Sequence, residues 1–217
     1  MQPKIKLVYL LIYAKGLLFY LSIFIVAIPK YSMDDDRVEA LFREILKEIG
    51  VEEDTEVLKN TPKRIARSYK EIFSGMDDGN EPKITLFKNP GYNDILAVKD
   101  IPFYSMCEHH LLPFFGTVSI AYIPGDEILG LSKFPRITKF FASKPQVQER
   151  LTKEIADFID EKVKAKGVLV VIKARHMCME MRGIKSRNAE TRSSAIRGVF
   201  KESKETREEA LKLLLED

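Results

Sequence analysis

Five residues constrain the fold of this chain more than any others. Its 217 residues contain two cysteines and three histidines, and all five lie in two short knots, Cys107-Glu108-His109-His110 and His176-Met177-Cys178. Thiolate and imidazole are the ligands that zinc prefers. A Cys-x-x-His turn that can meet a distant His-x-Cys pair therefore reads as one metal site assembled by folding. On that reading the fold has to bring those two segments together.

The run Val168-Leu169-Val170-Val171-Ile172 after Gly167 is short and rich in β-branched residues, which predicts a buried strand. If that strand continues to residue 180, His176 and Cys178 share one face, with Arg175 and Met177 on the other. Together with Cys107 and His110 this offers three or four ligands, with His109 or His176 to spare. Three protein ligands would leave a position open for water, the catalytic arrangement; four would close a structural site. A Cys107 to Cys178 disulfide, or buried inert thiols beside satisfied histidines, draws on the same residues.

The hydrophobic content of 45% allows a substantial core in one domain with a small appendage. The formal charge of +3 is concentrated at the start, where residues 1–32 carry Lys4, Lys6, Lys15 and Lys30 and no acid. The rest is close to neutral, which excludes a general polyanion-binding surface of the nucleic-acid kind. Residues 5–29 are strongly apolar, but Lys15 interrupts them, and the uncharged run from Gly16 to Pro29 is shorter than the roughly 20 residues of a membrane helix. No small-residue cleavage site follows. The leader reads as translation upstream of a true start at Met33, or as a dispensable anchor.

From Met33 the pattern turns helical. Val38, Leu41, Phe42, Ile45, Leu46 and Ile49 recur at helical spacing behind Asp34-Asp35-Asp36, with Gly50 just past the end. Thr61-Pro62 predicts the cap and first turn of a second helix, which would set Lys63 and Arg64 at its positive N-terminal end, as either a solvated surface pair or part of an anion site. Residues 33–90 then form an N-terminal helical segment and 91–217 a catalytic domain. In that domain, strands near 116–123, 168–180 and 195–200 alternate with helices over 131–141, 143–165 and from 203. This order predicts an α+β fold, an antiparallel sheet with helices packed on one face. No glycine-rich phosphate loop or dinucleotide fingerprint is present.

Five ordered segments carry a resemblance to a known family. They are Thr61-Pro62-Lys63-Arg64, Ser105 through Pro113, Gly130-Leu131-Ser132-Lys133, Pro145 through Thr152, and Arg175-His176-Met177-Cys178-Met179 through Arg182-Gly183. From about residue 37 onward the chain resembles GTP cyclohydrolase I, the zinc enzyme that opens the guanine ring of GTP on the way to folate and other pterins. Phe134-Pro135, just before Arg136, departs from the apolar helix formers of that pattern. The resemblance implies the tunnelling fold, a toroidal homodecamer with pockets at subunit boundaries, and a cytoplasmic location.

It also implies residue roles. Cys107, His110 and Cys178 would bind Zn2+ and leave one position for a water that attacks carbon 8 of guanine. His109 and His176 would transfer protons, the first at the imidazole ring and the second at the ribose. Glu149, beside Gln148, would hold guanine through its ring amide and amino group. Arg64, Lys133, Arg136 and Arg182 would hold the triphosphate, and Ser132 the ribose or phosphate.

Overall fold

The computed structural model describes residues 32–216 and, before them, the backbone of residues 12–14 and 17–19. The chain divides into two compact units, Met1–Ser32 and Met33–Asp217. In the first, β1 (Ile12–Ala14) pairs antiparallel with β2 (Leu17–Phe19). The readings of that leader as upstream translation or an anchor otherwise fall on residues outside those described. Among the described residues no helix is long and apolar enough to cross a membrane.

The second unit opens with α1 (Asp35–Glu48), capped by the Asp34 side chain, which accepts from the Arg37 amide. The next helix corrects the expectation from Thr61-Pro62. Helix α2 spans Glu56–Ile72, and its N-cap is Thr55, whose side chain accepts from Leu58 N. Pro62 therefore lies inside the helix, where it cannot donate to the carbonyl of Leu58 four residues back. Arg43 of α1 supplies the missing donor, with Nη1 2.8 Å from that oxygen. Lys63 and Arg64 are consequently in mid-helix, away from the positive end that would have favoured an anion.

After two 3-10 turns come β3 (Leu86–Lys88), β4 (Leu96–Cys107), β5 (Pro113–Ile123) and β6 (Glu127–Leu129). Helix α3 (Lys133–Ala142) takes Pro135 in its first turn, where proline is tolerated, so Arg136 stays helical. Pro145 and Gln146 form β7, a short parallel partner of β4, and α4 runs from Gln148 to Val163, later than the sequence pattern suggests. Then follow β8 (Gly167–His176), α5 (Met177–Glu180), β9 (Thr191–Gly198), α6 (Val199–Glu202) and α7 (Lys204–Leu215). The expected strand to residue 180 thus ends at His176, and Cys178 sits on a helical turn. The shared strand face for the second knot is overturned.

The main sheet has the order β7-β4-β5-β8-β9, antiparallel except at β7. Alternate residues of the central strands serve two cores. Val118, Ile120, Tyr122, Val168, Val170 and Ile172 face one core with α3 and α4 residues such as Phe134, Ile137, Leu151 and Ile155. Ala121, Ile123, Leu169 and Val171 face a smaller one closed by Phe200, Ala210 and Leu214. The α+β class stands, with α3 and α4 forming the larger helical layer and α7 covering part of the second face.

Candidate metal centre and active site

The strand ends assemble the site. Register places Met106 opposite Pro113 and His176 opposite Phe114, so β4 stops, β5 starts and β8 stops at the same end of the sheet. Between β4 and β5 the chain turns tightly. Leu111 N donates to Cys107 O at 2.8 Å and Cys107 N to Leu112 O at 2.9 Å. Leu111 adopts a φ of 50°, a left-handed conformation that costs on the order of 1–3 kcal/mol for a residue with a side chain. Around this turn Cys107 and His110 bring their donor atoms to one place.

There they meet Cys178. One donor atom from each of Cys107, His110 and Cys178 lies within 4.8 Å of the others. Cys107 is buried, Cys178 half-buried and His110 exposed, so the cluster has a closed side and an open side. Burial pushes the Cys178 thiol up from its ordinary range, and proximity to Cys107 adds to the effect, while the Arg182 charge opposes it. Two thiols held together and partly desolvated ionise readily only with a cation between them. The donor set, two sulfurs and an imidazole, fits a soft or borderline divalent metal.

An arginine–glutamate pair straps each half of the centre. Arg150 of α4 donates to Glu108, to Gln146 Oε1 at 2.8 Å and to the Pro145 carbonyl at 3.2 Å, while Glu108 N donates to Gln146 O. The first turn is thereby fastened to β7 and α4. On the other side Arg175 forms a two-pronged bond to Glu180, with Nε 2.8 Å from Oε1, which ties the end of β8 to the turn bearing Cys178. Arg175 holds the Glu180 carboxyl below the usual carboxylate range.

The remaining candidates divide into those near the centre and those elsewhere. His109 Nδ1 is 3.8 Å from Cys107 Sγ. His176 stacks on Phe114, with ring centroids 4.9 Å apart and planes within 3°. Burial lowers the pKa of His176, and the charge of Glu149 partly offsets this. Gln148, expected at the substrate, is 1% exposed, and both ends of its amide are bonded to protein. Lys133 and Arg136 line a separate cavity of about 460 Å³ with Lys83, Lys139 and Ser143, whose lining includes none of the metal donors. Arg64 is exposed on α2, and Ser132 is exposed just before α3.

Sequence reasoning missed Arg150, Gln146, Glu180 and Phe114. Gln146 and Phe114 are fully buried, and only the pairing of β4 with β7 and of β5 with β8 reveals what they support.

Two cysteine sulfurs and one imidazole converge at the end of an α+β sheet as a candidate three-donor metal site. The sequence profile of the GTP cyclohydrolase I family matches residues 38–215. A protein named GTP cyclohydrolase 1 from Carboxydothermus hydrogenoformans is 49% identical over 183 residues, 84% of this chain and 95% of that relative. One of the same name from Aquifex aeolicus is 51% identical over 84% of this chain and 98% of its own length, and one from Clostridioides difficile is 47% identical over 84% and 97%. The chain belongs to the GTP cyclohydrolase I family, whose tunnelling fold its sheet and helices follow.

Proposed function

We propose that this chain is a zinc-dependent GTP cyclohydrolase I, converting GTP and water to 7,8-dihydroneopterin triphosphate and formate, the first step of tetrahydrofolate and pterin biosynthesis. The observation that carries this reading is the convergence of Cys107, His110 and Cys178 within 4.8 Å in a chain of that family. Zinc suits two thiolates and an imidazole, and three protein ligands leave a position for a reacting group. When bound, the ion supplies a Lewis acid that brings the pKa of a water toward neutrality.

The chain's own residues bind, orient and move protons around that chemistry. His109, exposed beside the centre, serves proton transfer as the guanine imidazole ring opens at carbon 8, and His176 serves it at the ribose; imidazole suits both because one ring nitrogen can accept a proton while the other donates. Glu149, in the first turn of α4, can accept two hydrogen bonds from the ring amide and amino group of guanine. Arg182, Lys133, Arg136 and Arg64, with Ser132, are the proposed partners of the ribose and triphosphate, an anion that needs several cations.

In a single chain the cavity that contains Lys133 and Arg136 is separate from the metal donors. Tyr104, Leu131, Met181 and Ile184 are large apolar side chains left exposed. Both features support pockets built between subunits of a toroidal homodecamer. A cytoplasmic location fits a GTP substrate and thiols that have to stay reduced to hold a metal.

The test is formate release from GTP by the purified full chain as isolated, stripped of metal and reconstituted with zinc, with the oxidised pterin followed by fluorescence. Both products are expected, lost on stripping and restored by zinc. Tight GTP binding with neither product would overturn the reading and indicate a guanine-nucleotide sensor.

A further inference from the structure

Gln148 is the first residue of α4, and its amide lies wholly inside the protein. Nε2 donates to the backbone carbonyls of Ile172 at 3.2 Å and Thr191 at 3.1 Å and to Ser193 Oγ at 3.0 Å. Oε1 lies 2.8 Å from His176 Nε2. These two ends cannot be exchanged. Turning the amide over would set its oxygen against two carbonyl oxygens that have no proton to give.

Two hydroxyls enforce the same orientation. Thr152 Oγ1 donates to the Gln148 carbonyl at 2.6 Å and is 2.7 Å from Ser193 Oγ. With the threonine proton committed, the serine proton has to fill the gap between the two hydroxyls, so Ser193 Oγ can only accept from the amide. Protons then run one way round a closed ring, from the Gln148 amide to Ser193, from Ser193 to Thr152, and from Thr152 back to the Gln148 backbone. Gln148 and Thr152 are each 1% exposed, so these two members of the ring are shielded from water.

We propose that Gln148 is a positioning residue that fixes His176 in the tautomer protonated at Nε2. Oε1 can only accept, so His176 Nε2 has to donate, and in the neutral ring Nδ1 is then left as the bare lone pair. The stack on Phe114 keeps the imidazole in the plane this bond requires. In its neutral form His176 can therefore accept a proton at Nδ1 and cannot give one there. With its amide spent on three acceptors and one donor, Gln148 has no side-chain atom left for guanine, and its effect on the reaction passes through His176. The use of that lone pair rests on the proposed cyclohydrolase activity; the tautomer does not.

Histidine-selective nitrogen-15 labelling of the zinc-loaded full chain tests this, because only three imidazoles contribute and a His176→Asn sample identifies the signal. At mildly alkaline pH, where an ordinary imidazole is neutral, His176 is expected to show a protonated Nε2 and a bare Nδ1. A proton on Nδ1 would overturn the assignment. Gln148→Met is expected to mix the tautomers and lower kcat about 10–100-fold, the usual effect of losing a partner that orients a functional histidine, with zinc content and KM little changed. A raised KM with kcat retained would make Gln148 a substrate ligand and overturn the proposal, as would an unchanged spectrum and rate. If Gln148→Met does not fold, the wild-type spectrum still decides. A wild-type chain with the expected tautomer but no turnover would sink the cyclohydrolase reading and leave the tautomer assignment standing.

Discussion

The two ends of the main sheet are built from different chemistry. At one end β4 and β8 stop at Cys107 and His176, and beside the buried Phe114 lie buried polar side chains: Gln146, Gln148, Thr152 and Ser105 are each at most 3% exposed. All four have hydrogen-bond partners. The buried side-chain atoms that lack a partner among the described residues are Asp35 Oδ1 and Thr138 Oγ1, neither of them in that group. At the other end Ile123, Leu169, Phe200, Ala210 and Leu214 bury hydrocarbon against the start of β8 and the end of β9. Paired polar groups add little net stability but fix direction, whereas apolar burial stabilises without aiming anything. Direction at the site end is thus set by paired polar groups, whereas the opposite end contributes apolar burial without aiming a side chain, so mutations at the two ends should separate metal binding from stability.

The largest expected effect is at the polar end. Cys178→Ala removes one of three donors, and metal content and formate release should disappear together while the apolar end remains folded; formate release at the wild-type rate would show that the centre is assigned to the wrong residues. Phe200→Ala is the opposite probe. It should lower unfolding free energy by about 3–5 kcal/mol, as for other buried phenylalanines, with zinc stoichiometry of the folded fraction unchanged in denaturant titrations. A loss of zinc affinity in that variant would mean that the ends are not independent.

Arg150→Ala sharpens the comparison, since it frees Glu108 and Gln146 without touching a metal donor. Metal affinity is expected to fall about 10–100-fold in competition with a chelator, in line with other groups that orient ligands, with less change in melting temperature than Phe200→Ala causes. The smallest effect is expected at Asp157, on α4. Burial raises its pKa, but hydrogen bonds from Lys153 and Arg197 outweigh this and hold the carboxyl below its ordinary range. Its contribution is therefore present at neutral pH and lost as pH falls through and below the usual carboxylate range. Asp157→Asn should cost under about 1 kcal/mol at neutral pH, because the pair is partly exposed, and should flatten the acid side of a stability–pH curve.

The metal cluster was legible because cysteine and histidine are so scarce here that their positions admit few pairings. The stripe of α1 and the start of the last helix after Ser203 were legible because periodicity and caps are local signals. Where the reading failed, the deciding contact came from elsewhere in the chain. Pro62 imitates a helix start, and only Arg43 reaching the Leu58 carbonyl from α1 allows it inside α2. Residues 177–180 continue an extended-looking pattern but turn, and the Arg175 to Glu180 pair fastens that turn. The ring around Gln148 joins α4 to β8 and β9 and has no linear signature. Glu149, one residue away, is exposed.

An open three-donor zinc centre at the polar end has a definite signature in X-ray absorption at the zinc edge of the isolated full chain. The account expects one zinc per chain with two sulfur neighbours at about 2.3 Å, one imidazole nitrogen at about 2.0–2.1 Å and one further light atom not contributed by histidine. Two sulfurs with two imidazoles would mean a closed structural site, and a chain that folds and releases formate without zinc would contradict the account outright.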